Sequence, residues 1–233
     1  MKRVKTALTI AGFDPSGGAG LQADLKTFAA CRIAGKSVAT SITVQNTSGV
    51  LSTHDLPSDI VEKQLDALFK DGKPHAIKTG MLGNESTVEC VARTLRRHRM
   101  KNLVIDPVIC SSSGKTLLSA EGVQVLKERL FPIGLIVTPN LAEAEALSGI
   151  RIRKASDRLR VARALLKSGV KNVLIKGGHL KGRPQDFFFN GGDPLLLDSD
   201  RLSGEEVHGT GCVLAAAVTA GLVQGLDLVS AVR

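Results

Sequence analysis

The sequence predicts an α/β fold in which helices cover both faces of a mostly parallel central sheet. Short apolar runs rich in β-branched residues alternate with longer segments whose apolar residues recur at helical spacing. The short runs are apolar almost throughout, as strands buried on both faces are. Each run ends in turn residues, and regular alternation of strand and helix is typical of a parallel sheet covered by helices.

The elements follow one another along the whole chain. We predict strands at residues 7–12, 37–44, 76–81, 102–109, 135–140 and 172–178. We predict helices at residues 20–31, 59–70, 86–98, 121–130, 141–149 and 156–169. From residue 209 a helix of small residues begins, and a second helical pattern starts before Arg233. Ligands bind at the carboxyl ends of strands in such sheets, so we expect the functional residues to follow the strands.

Length and composition indicate one globular domain, residues 1–233, with 43% hydrophobic and 23% charged residues. The apolar run near the start is too short for a secretory core, and no run of 18 apolar residues could cross a membrane. Cys31, Cys90, Cys110 and Cys212 form no CxxC pair, which argues against a metal cluster or a disulfide framework. We therefore expect a cytoplasmic protein with reduced thiols and no membrane association.

The net charge of +9 invites the hypothesis of nucleic-acid binding. The basic residues are spread along the chain, however, and the chain has 3% aromatic residues, with no Trp or Tyr to stack on bases. We interpret the charge as solvated helix faces and expect no nucleic-acid partner. A basic balance also suits a protein that handles phosphate anions.

Two glycine-containing segments resemble nucleotide motifs only in part. Residues 12–20, GFDPSGGAG, join a strand to a helix, and Gly18 to Ala23 matches GxGxxA, but no acidic residue occurs in 38–50 to complete a dinucleotide site. The segment is either a tight turn or a loop that lets a ligand approach the backbone, with Asp24 facing the same pocket. Residues 111–116, SSSGKT, lack the glycine that a P-loop needs, because position 109 is Ile.

Residues 208–212, HGTGC, precede the helix of small residues. Gly209 and Gly211 on either side of Thr210 allow successive N–H groups to point at one spot, where the helix N-terminus also favours an anion. This is an anion hole suited to a phosphoryl group in transfer. At the helix start we expect Cys212 to have a lowered pKa and to act as a base. The alternative is a glycine turn with a buried cysteine, and we interpret His208 as structural.

Charged residues at strand ends complete the pattern. Asp106 ends a predicted strand, and Glu143 lies in the first turn of a predicted helix. Phosphoryl transfer from ATP needs Mg²⁺, which takes one or two carboxylates together with water and phosphate oxygens. Lys176 ends another strand, where a cation could meet phosphates. Taken singly, Asp106 could form a turn, Glu143 could complement a helix dipole, and Lys176 could lie on the surface.

In this order, the segments resemble the hydroxymethylpyrimidine/phosphomethylpyrimidine kinases of the ribokinase-like superfamily. The matching stretches are TIAGFDPSGGAGLQADLKTF, VQNTSGV, KTGML, DPV, TPNLAEAEAL, LIKGGHL and HGTGC, which lie between residues 9 and 212. The resemblance implies a three-layer α/β/α fold that phosphorylates 4-amino-5-hydroxymethyl-2-methylpyrimidine and then its monophosphate, with ATP and Mg²⁺. It also implies a homodimer, and a chain that commonly continues for one more helix or a fused domain beyond Arg233.

The resemblance assigns a role to each matching position. Those of the pyrimidine pocket are Gly12, Ala19, Asp24, Gln45, Met81 and Val108. Asp106 and Glu143 match the acids on the magnesium side, Lys176 the lysine on the phosphate side, and Gly209 to Cys212 the anion hole. Cysteine at 212, where the wider superfamily usually has aspartate, indicates this branch.

The sequence departs from the family at four places: Phe13 and Val207, the stretch CSSSGKT (110–116), and the segment from Arg32 to Lys36, which lacks an aromatic residue. Phe13 would either narrow the pocket or pack inward. A pyridoxine or pyridoxal kinase of the same superfamily is therefore an alternative function. A protein of a different class, a non-catalytic one that only senses the pyrimidine, is a further alternative.

Overall fold

A computed structural model of the chain describes residues 4–46, 48–111, 113–178, 183–200 and 209–233. The strands are β1 (Thr6–Phe13), β2 (Ala34–Asn46), β3 (Gly49–Asp55), β4 (Ala76–Thr79), β5 (Leu103–Ile105), β6 (Ile136–Val137), β7 (Val173–Ile175), β8 (Gln185–Phe189) and β9 (Leu195–Asp198). The helices are α1 (Gly20–Ala30), α2 (Ser58–Lys70), α3 (Glu85–Arg97), α4 (Ala120–Val125), α5 (Leu141–Ser148), α6 (Asp157–Lys167), α7 (Thr210–Gln224) and α8 (Leu228–Val232).

In the described ranges the strands form one nine-stranded sheet in the order β3-β2-β1-β4-β5-β6-β7-β8-β9. From β2 to β7 the neighbours in this order run parallel. β3, β8 and β9 add antiparallel edges. The predicted mostly parallel sheet is therefore confirmed. Because β2 lies on one side of β1 and β4 on the other, the connections change direction there, and such a switch point is where open sheets bind ligands.

Helices cover both faces of the sheet, which gives the three predicted layers. Neighbouring residues of β4 show this, because side chains alternate between the two faces of a strand. Ala76 belongs to a core cluster with Phe28 of α1 and Ala220 of α7. Ile77 belongs to the opposite cluster, with Leu65 of α2. Burial on both faces explains why β4, β5 and β7 appear in the sequence as continuous apolar runs.

The structure differs from the sequence prediction in three unexpected strands, in one helix end and in strand length, since β5 and β6 cover only three and two residues of the strands predicted at 102–109 and 135–140. β3, β8 and β9 were not expected, and β3 and β9 are the outer strands of the sheet, with partly exposed residues and at most three apolar residues in succession. The helix predicted at 121–130 is α-helical only to Val125 and then continues as a π-helical turn at Leu126–Leu130 and a 3-10 turn at Phe131–Ile133.

From the sequence we expected no segment that crosses a membrane. In the described part of the chain, no helix combines the length and the apolar character that crossing a membrane requires.

Candidate active site

The predicted site residues gather at the carboxyl edge of the sheet. Asp106 directly follows β5, and Lys176 directly follows β7. Glu143 lies in the first turn of α5, after β6, while Gly211 and Cys212 lie in the first turn of α7. The connections thus bring together residues that are far apart in the sequence.

Asp14 holds the loop between β1 and α1, although the sequence pattern did not single it out. Its Oδ1 accepts hydrogen bonds from the N–H and the hydroxyl of Ser16 at 2.8 and 2.7 Å, and its Oδ2 accepts one from the N–H of Ala19 at 2.7 Å. The side chain of Gln45 also hydrogen-bonds to it. Burial would raise the pKa of Asp14, but these hydrogen bonds lower it on balance. Ala19 and Gln45, both predicted to contact substrate, are therefore positioned by one carboxylate.

Two glycines allow close packing here, Gly209 between the start of α7 and this loop, and Gly20 between the loop and the end of β1. Gly209 has φ +87°, and a Cβ there would collide with the carbonyl oxygen of Gly18. Gly20 has φ +55°, and a Cβ there would collide with the carbonyl oxygen of Gly12. A side chain is excluded at both positions by the left-handed backbone and by lack of space. The predicted anion hole, Gly209–Cys212, is thus fixed against the loop on the substrate side.

An ion pair joins β7 to β5 at the site. Lys176 Nζ lies 2.9 Å from Asp106 Oδ1, which also accepts a hydrogen bond from the hydroxyl of Thr138 at 3.3 Å. Burial lowers the pKa of Lys176, but the charges of Asp106 and Glu143 outweigh it and raise the pKa, so the ammonium stays protonated. A Cβ on Gly211 would lie 3.0 Å from Lys176 Nζ, which places the cation beside the predicted anion hole.

Glu143 lies at the helix start, which is one of the two alternatives that the sequence gave, while its role as a magnesium ligand stays a prediction. It forms a capping box with Asn140 at the start of α5, where its Oε2 accepts a hydrogen bond from the Asn140 N–H at 2.9 Å. Its Oε1 accepts one from the Ile109 N–H at 3.3 Å. Burial raises the pKa of Glu143, and the positive charge of Lys176 opposes this rise. The carboxylate is therefore a helix cap that also belongs to the site.

The donor set of Asp106 and Glu143 fits Mg²⁺. In the described ranges, no group of three or more His, Cys, Asp or Glu residues is placed to hold a metal ion. A magnesium ion brought in by ATP needs fewer protein ligands, because phosphate oxygens and water complete its coordination. The hydrogen bonds described for the Asp106 carboxylate go to Oδ1, which leaves Oδ2 for a further ligand.

The prediction that Cys212 has a lowered pKa is wrong. Burial raises the pKa of its thiol, and the negative charges of Asp106 and Asp24 raise it further. The charge of Lys78 is the strongest influence in the opposite direction. The helix start suggested a reactive thiolate, but the enclosure of the thiol and its two carboxylate neighbours outweigh that effect.

Asp24 is more deeply buried than the sequence suggested. Its side chain is fully buried, and its Oδ2 accepts hydrogen bonds from Lys78 Nζ at 2.8 Å and from the Thr9 hydroxyl at 2.5 Å. Its Oδ1 is buried with no partner in the described part of the chain. Sequence reasoning missed Lys78 and Thr9, and the available signal was a lysine inside the apolar run AIKTGM (76–81).

The other predicted pocket residues lie along the same edge. A Cβ on Gly12 would lie 3.0 Å from Sδ of Met81, so these two positions are in contact. The Met81 carbonyl accepts a hydrogen bond from the hydroxyl of Thr40 at 2.6 Å. Val108 has φ +39°, a conformation that a β-branched residue rarely adopts, and such strain is often found at functional sites.

The departures from the family pattern are partly described. Phe13 is 41% exposed, so its ring does not pack inward. The loop containing 113–115 contacts the β2–β3 turn, where Lys115 Nζ donates to the Leu51 carbonyl at 2.6 Å, and a cavity of about 440 Å³ lies between the two segments. Val207 and His208 lie outside the described residues.

Comparisons with known proteins agree with this arrangement. A family profile described as phosphomethylpyrimidine kinase matches residues 14–233. A hydroxymethylpyrimidine/phosphomethylpyrimidine kinase from Rhizobium meliloti is 46% identical over 228 residues, which are 97% of this chain and 85% of that protein. The thiamine biosynthesis bifunctional protein ThiED from Geobacter sulfurreducens is 43% identical over 97% of this chain, a match that covers 46% of the longer protein.

Solved structures give the same result. A phosphomethylpyrimidine kinase from Clostridium difficile superposes with a TM-score of 0.87 at 41% identity, covering 98% of this chain and 94% of that one. An ADP complex of pyridoxal kinase from Bacillus subtilis superposes with a TM-score of 0.91 at 35% identity, covering 99% and 88%. The fold and the site define a phosphotransferase with a ribokinase-like fold. Within that class, the chain belongs to the phosphomethylpyrimidine kinase family.

The contact between Gly209 and Gly18 leads to a test of the anion hole. We expect Gly209→Ala to lower kcat by about a hundred-fold, because the start of α7 must move away from the loop. Gly225→Ala is the matched control, since Gly225 also has a positive φ, +100°, but a Cβ there would have no neighbour within 4 Å. The control should lose about 1 kcal/mol of unfolding free energy and keep its kcat. Urea unfolding and steady-state kinetics measure both, and equal kcat values in the two variants would contradict the role of this contact.

Proposed function

We propose that this protein transfers the γ-phosphoryl group of ATP to the hydroxymethyl group of 4-amino-5-hydroxymethyl-2-methylpyrimidine, and then phosphorylates the monophosphate, in thiamine biosynthesis. The observation that carries the proposal is the 46% identity, across 97% of the chain, to a relative named for these activities. The placement of Lys176, Asp106 and Gly211 at one edge of the sheet supports phosphoryl transfer there.

ATP is the expected phosphoryl donor. One related structure is an ADP complex of the pyridoxal kinase from Bacillus subtilis. Another is the pyridoxal kinase from Staphylococcus aureus in complex with AMP-PCP and pyridoxal. Asp106 and Glu143 would hold Mg²⁺, which, when bound, neutralises charge on the phosphates. Lys176 would contact a phosphate oxygen, and the backbone N–H groups from Gly209 to Cys212, Thr210 included, would stabilise charge on the group being transferred.

Cys212 is proposed as the base that accepts the proton of the attacking hydroxyl. A base must be deprotonated, and burial favours the protonated thiol here. Lys78 and Lys176 are the nearby positive charges that favour the thiolate, because a cation stabilises a neighbouring anion. The balance between burial and these two lysines therefore sets the fraction of active enzyme at a given pH.

The pyrimidine would bind between the β1–α1 loop and the segment after β4. The proposed pocket residues are Gly12, Ala19, Asp24, Gln45, Met81 and Val108. The buried, unpartnered Oδ1 of Asp24 could accept a hydrogen bond from a ring amino group. Met81 and Val108 would cover the apolar faces of the ring, and Gln45 would bond to its edge.

Phosphorylation of pyridoxine or pyridoxal is the second candidate function. It is favoured by one observation, the TM-score of 0.91 to the Bacillus subtilis pyridoxal kinase, compared with 0.87 to the Clostridium difficile phosphomethylpyrimidine kinase. Identity favours the pyrimidine, at 41% against 35%. A protein that binds the pyrimidine without catalysis would keep the pocket and lack turnover.

A coupled assay of ADP release decides between these functions. Hydroxymethylpyrimidine, its monophosphate and pyridoxine are offered in parallel with Mg-ATP, and EDTA serves as the control for the metal. We expect turnover with both pyrimidines and none in EDTA. Turnover with pyridoxine alone would make the protein a pyridoxine kinase. Binding of the pyrimidine without release of ADP would indicate a sensing protein.

The role of Cys212 as a base predicts a pH dependence. Because burial raises the pKa of the thiol, the thiolate fraction and kcat should rise with pH, at higher pH values than for an ordinary thiol. Cys212→Ser should lower kcat by about 10²- to 10⁴-fold and lose this rise, since a serine hydroxyl does not ionise in the range. Cys110→Ser, at an exposed cysteine, is the matched control and should keep the profile. Full turnover in Cys212→Ser would remove the base assignment.

We further propose that residues 1–233 act as one cytoplasmic kinase domain that forms a homodimer. The support for the homodimer is an apolar strip beside the sheet edge, in which Ile42, Val44 and Leu51 are 47%, 46% and 69% exposed. Val44→Asp should convert a dimer into a monomer of 24.6 kDa in light-scattering measurements. Leu196→Asp, on the opposite edge and 48% exposed, is the control and should leave the mass unchanged. A monomeric wild-type chain would contradict the proposal.

A further inference from the structure

The backbone that carries Lys176 is held from both sides just after β7 ends. On one side, the Lys176 N–H donates to the Pro139 carbonyl at 2.8 Å. On the other side lies the antiparallel strand β8, whose pairing with β7 ends at Ile175. Continued by two residues, the same register would bring Gly177 opposite Gln185. The position of Lys176 therefore depends on the strands at both sides of β7.

Contact with β8 continues past the last paired residue of β7, through Gly177. A Cβ on Gly177 would collide with the carbonyl oxygen of Gln185, so the two backbones touch. The Gly177 N–H donates to Oδ1 of Asp186 at 2.7 Å. A side chain of β8 thus supplies the acceptor that a longer ladder would take from the backbone. Since Lys176 is the preceding residue, its place follows from how the start of β8 lies.

Arg158, on α6, fixes the start of β8. Its Nη1 donates to the Gln185 carbonyl at 3.0 Å, and its Nη2 donates to Oε1 of the Gln185 side chain at 2.7 Å. Its guanidinium carbon lies 5.3 Å from the centre of the Phe187 ring, within the range of a cation–π contact. One planar group therefore holds the main chain and the side chain of the same residue, and its fork fixes their orientation.

Stability alone is a poor explanation for a cation in this place. Arg158 is 4% exposed, and the hydrogen bonds described for its side chain all go to uncharged oxygens. The carboxylate of Asp186 acts on this charge without a described hydrogen bond to it. Enclosing a charge costs free energy, and an apolar side chain of similar length would fill the space without that cost. What the guanidinium adds is its fixed hold on Gln185.

We propose that Arg158 and Asp186 are positioning residues for Lys176. Arg158 holds the start of β8, and Asp186 joins β8 to Gly177. Gly177 is covalently joined to Lys176, whose ammonium lies beside the predicted anion hole. The part of this proposal that concerns phosphoryl transfer rests on the proposed function. The link from Arg158 to Gly177 does not, because it can be measured on the protein alone.

Hydrogen exchange of the Gly177 amide, followed by NMR on isotope-labelled protein, tests the link. In Asp186→Ala this amide should exchange at least about ten-fold faster, the usual effect of losing a hydrogen bond to a charged group. In Arg158→Met it should also exchange about ten-fold faster, because the start of β8 is released. Arg160→Met is the matched control, since Arg160 lies on the same helix, is 69% exposed in its side chain and pairs with Asp157. Unchanged exchange in Asp186→Ala or Arg158→Met would overturn the proposal for that residue.

The amide of Val104, fully buried in β5, is the reference within each variant. Equal acceleration at Val104 and Gly177 would mean general destabilisation and would overturn the proposal. Asp186 is only partly buried, so Asp186→Ala provides the measurement even where Arg158→Met fails to fold.

The second test is a double-mutant cycle on kcat. Arg158→Met should lower kcat by about ten-fold and leave the KM for hydroxymethylpyrimidine unchanged, since a displaced Lys176 affects the transferred group and not the binding of the ring. In a Lys176→Met background the same change should have no further effect, because its route to the site is removed. Equal losses in both backgrounds would overturn the positioning role. Asp186→Asn, which keeps an acceptor oxygen, should retain most of the kcat that Asp186→Ala loses.

Binding of AMP-PCP with Mg²⁺, measured by calorimetry, repeats the cycle without turnover. Because Lys176 is proposed to contact phosphate, Arg158→Met should weaken this binding by roughly three- to ten-fold when Lys176 is present and not in Lys176→Met. Equal weakening in both backgrounds would contradict the proposal. A wild-type protein that phosphorylates no substrate would refute the proposed function, and this cycle together with the amide exchange would still decide the proposal.

Discussion

Removal of charge from water is the constraint on which this site depends. Lys78 and Lys176 are two lysines enclosed at one edge of an apolar sheet, and each is matched by one aspartate, Asp24 and Asp106. Each pair connects two elements, because an unpaired charge in this position would cost several kcal/mol. The pKa of Cys212 responds to charges of both pairs. The proton affinity of the proposed base is therefore a property of the whole edge of the sheet.

Backbone contact is the second constraint, and it gives the charges a fixed frame. Gly209 adopts a left-handed conformation in a place where a Cβ would meet the carbonyl oxygen of Gly18. The start of α7 therefore lies directly on the β1–α1 loop, which Asp14 holds by its hydrogen bonds. The proposed anion hole on such a frame would need little rearrangement to receive a phosphoryl group, since preorganised donors are the effective ones.

Periodicity is sufficient to predict the parallel strands and their helices, because strands buried on both faces leave an unbroken apolar signal. It misses β3, β8 and β9, which have at most three apolar residues in succession, too few to give such a signal. Position after a strand, together with the family resemblance, predicts Asp106, Lys176 and Cys212 as site residues, and the structure brings them to one edge of the sheet. Lys78 was not predicted as a site residue because a lysine is ordinarily solvated. Its complete burial follows from the packing of segments that are distant in the sequence. The pKa of Cys212 is mispredicted for the same reason, since its enclosing carboxylates come from other parts of the chain.

The raised pKa of Cys212 has a consequence for the life of the protein under oxidative conditions. It is the thiolate that attacks a peroxide or a disulfide reagent, so a thiol that stays protonated reacts slowly with them. The partly buried Cys212 is shielded in this way, while Cys110 lies exposed on the surface. Oxidation of Cys212 to a sulfenic acid would remove the proposed base, and the protonated thiol of the resting protein reacts slowly. Oxidants therefore reach the more accessible Cys110 first.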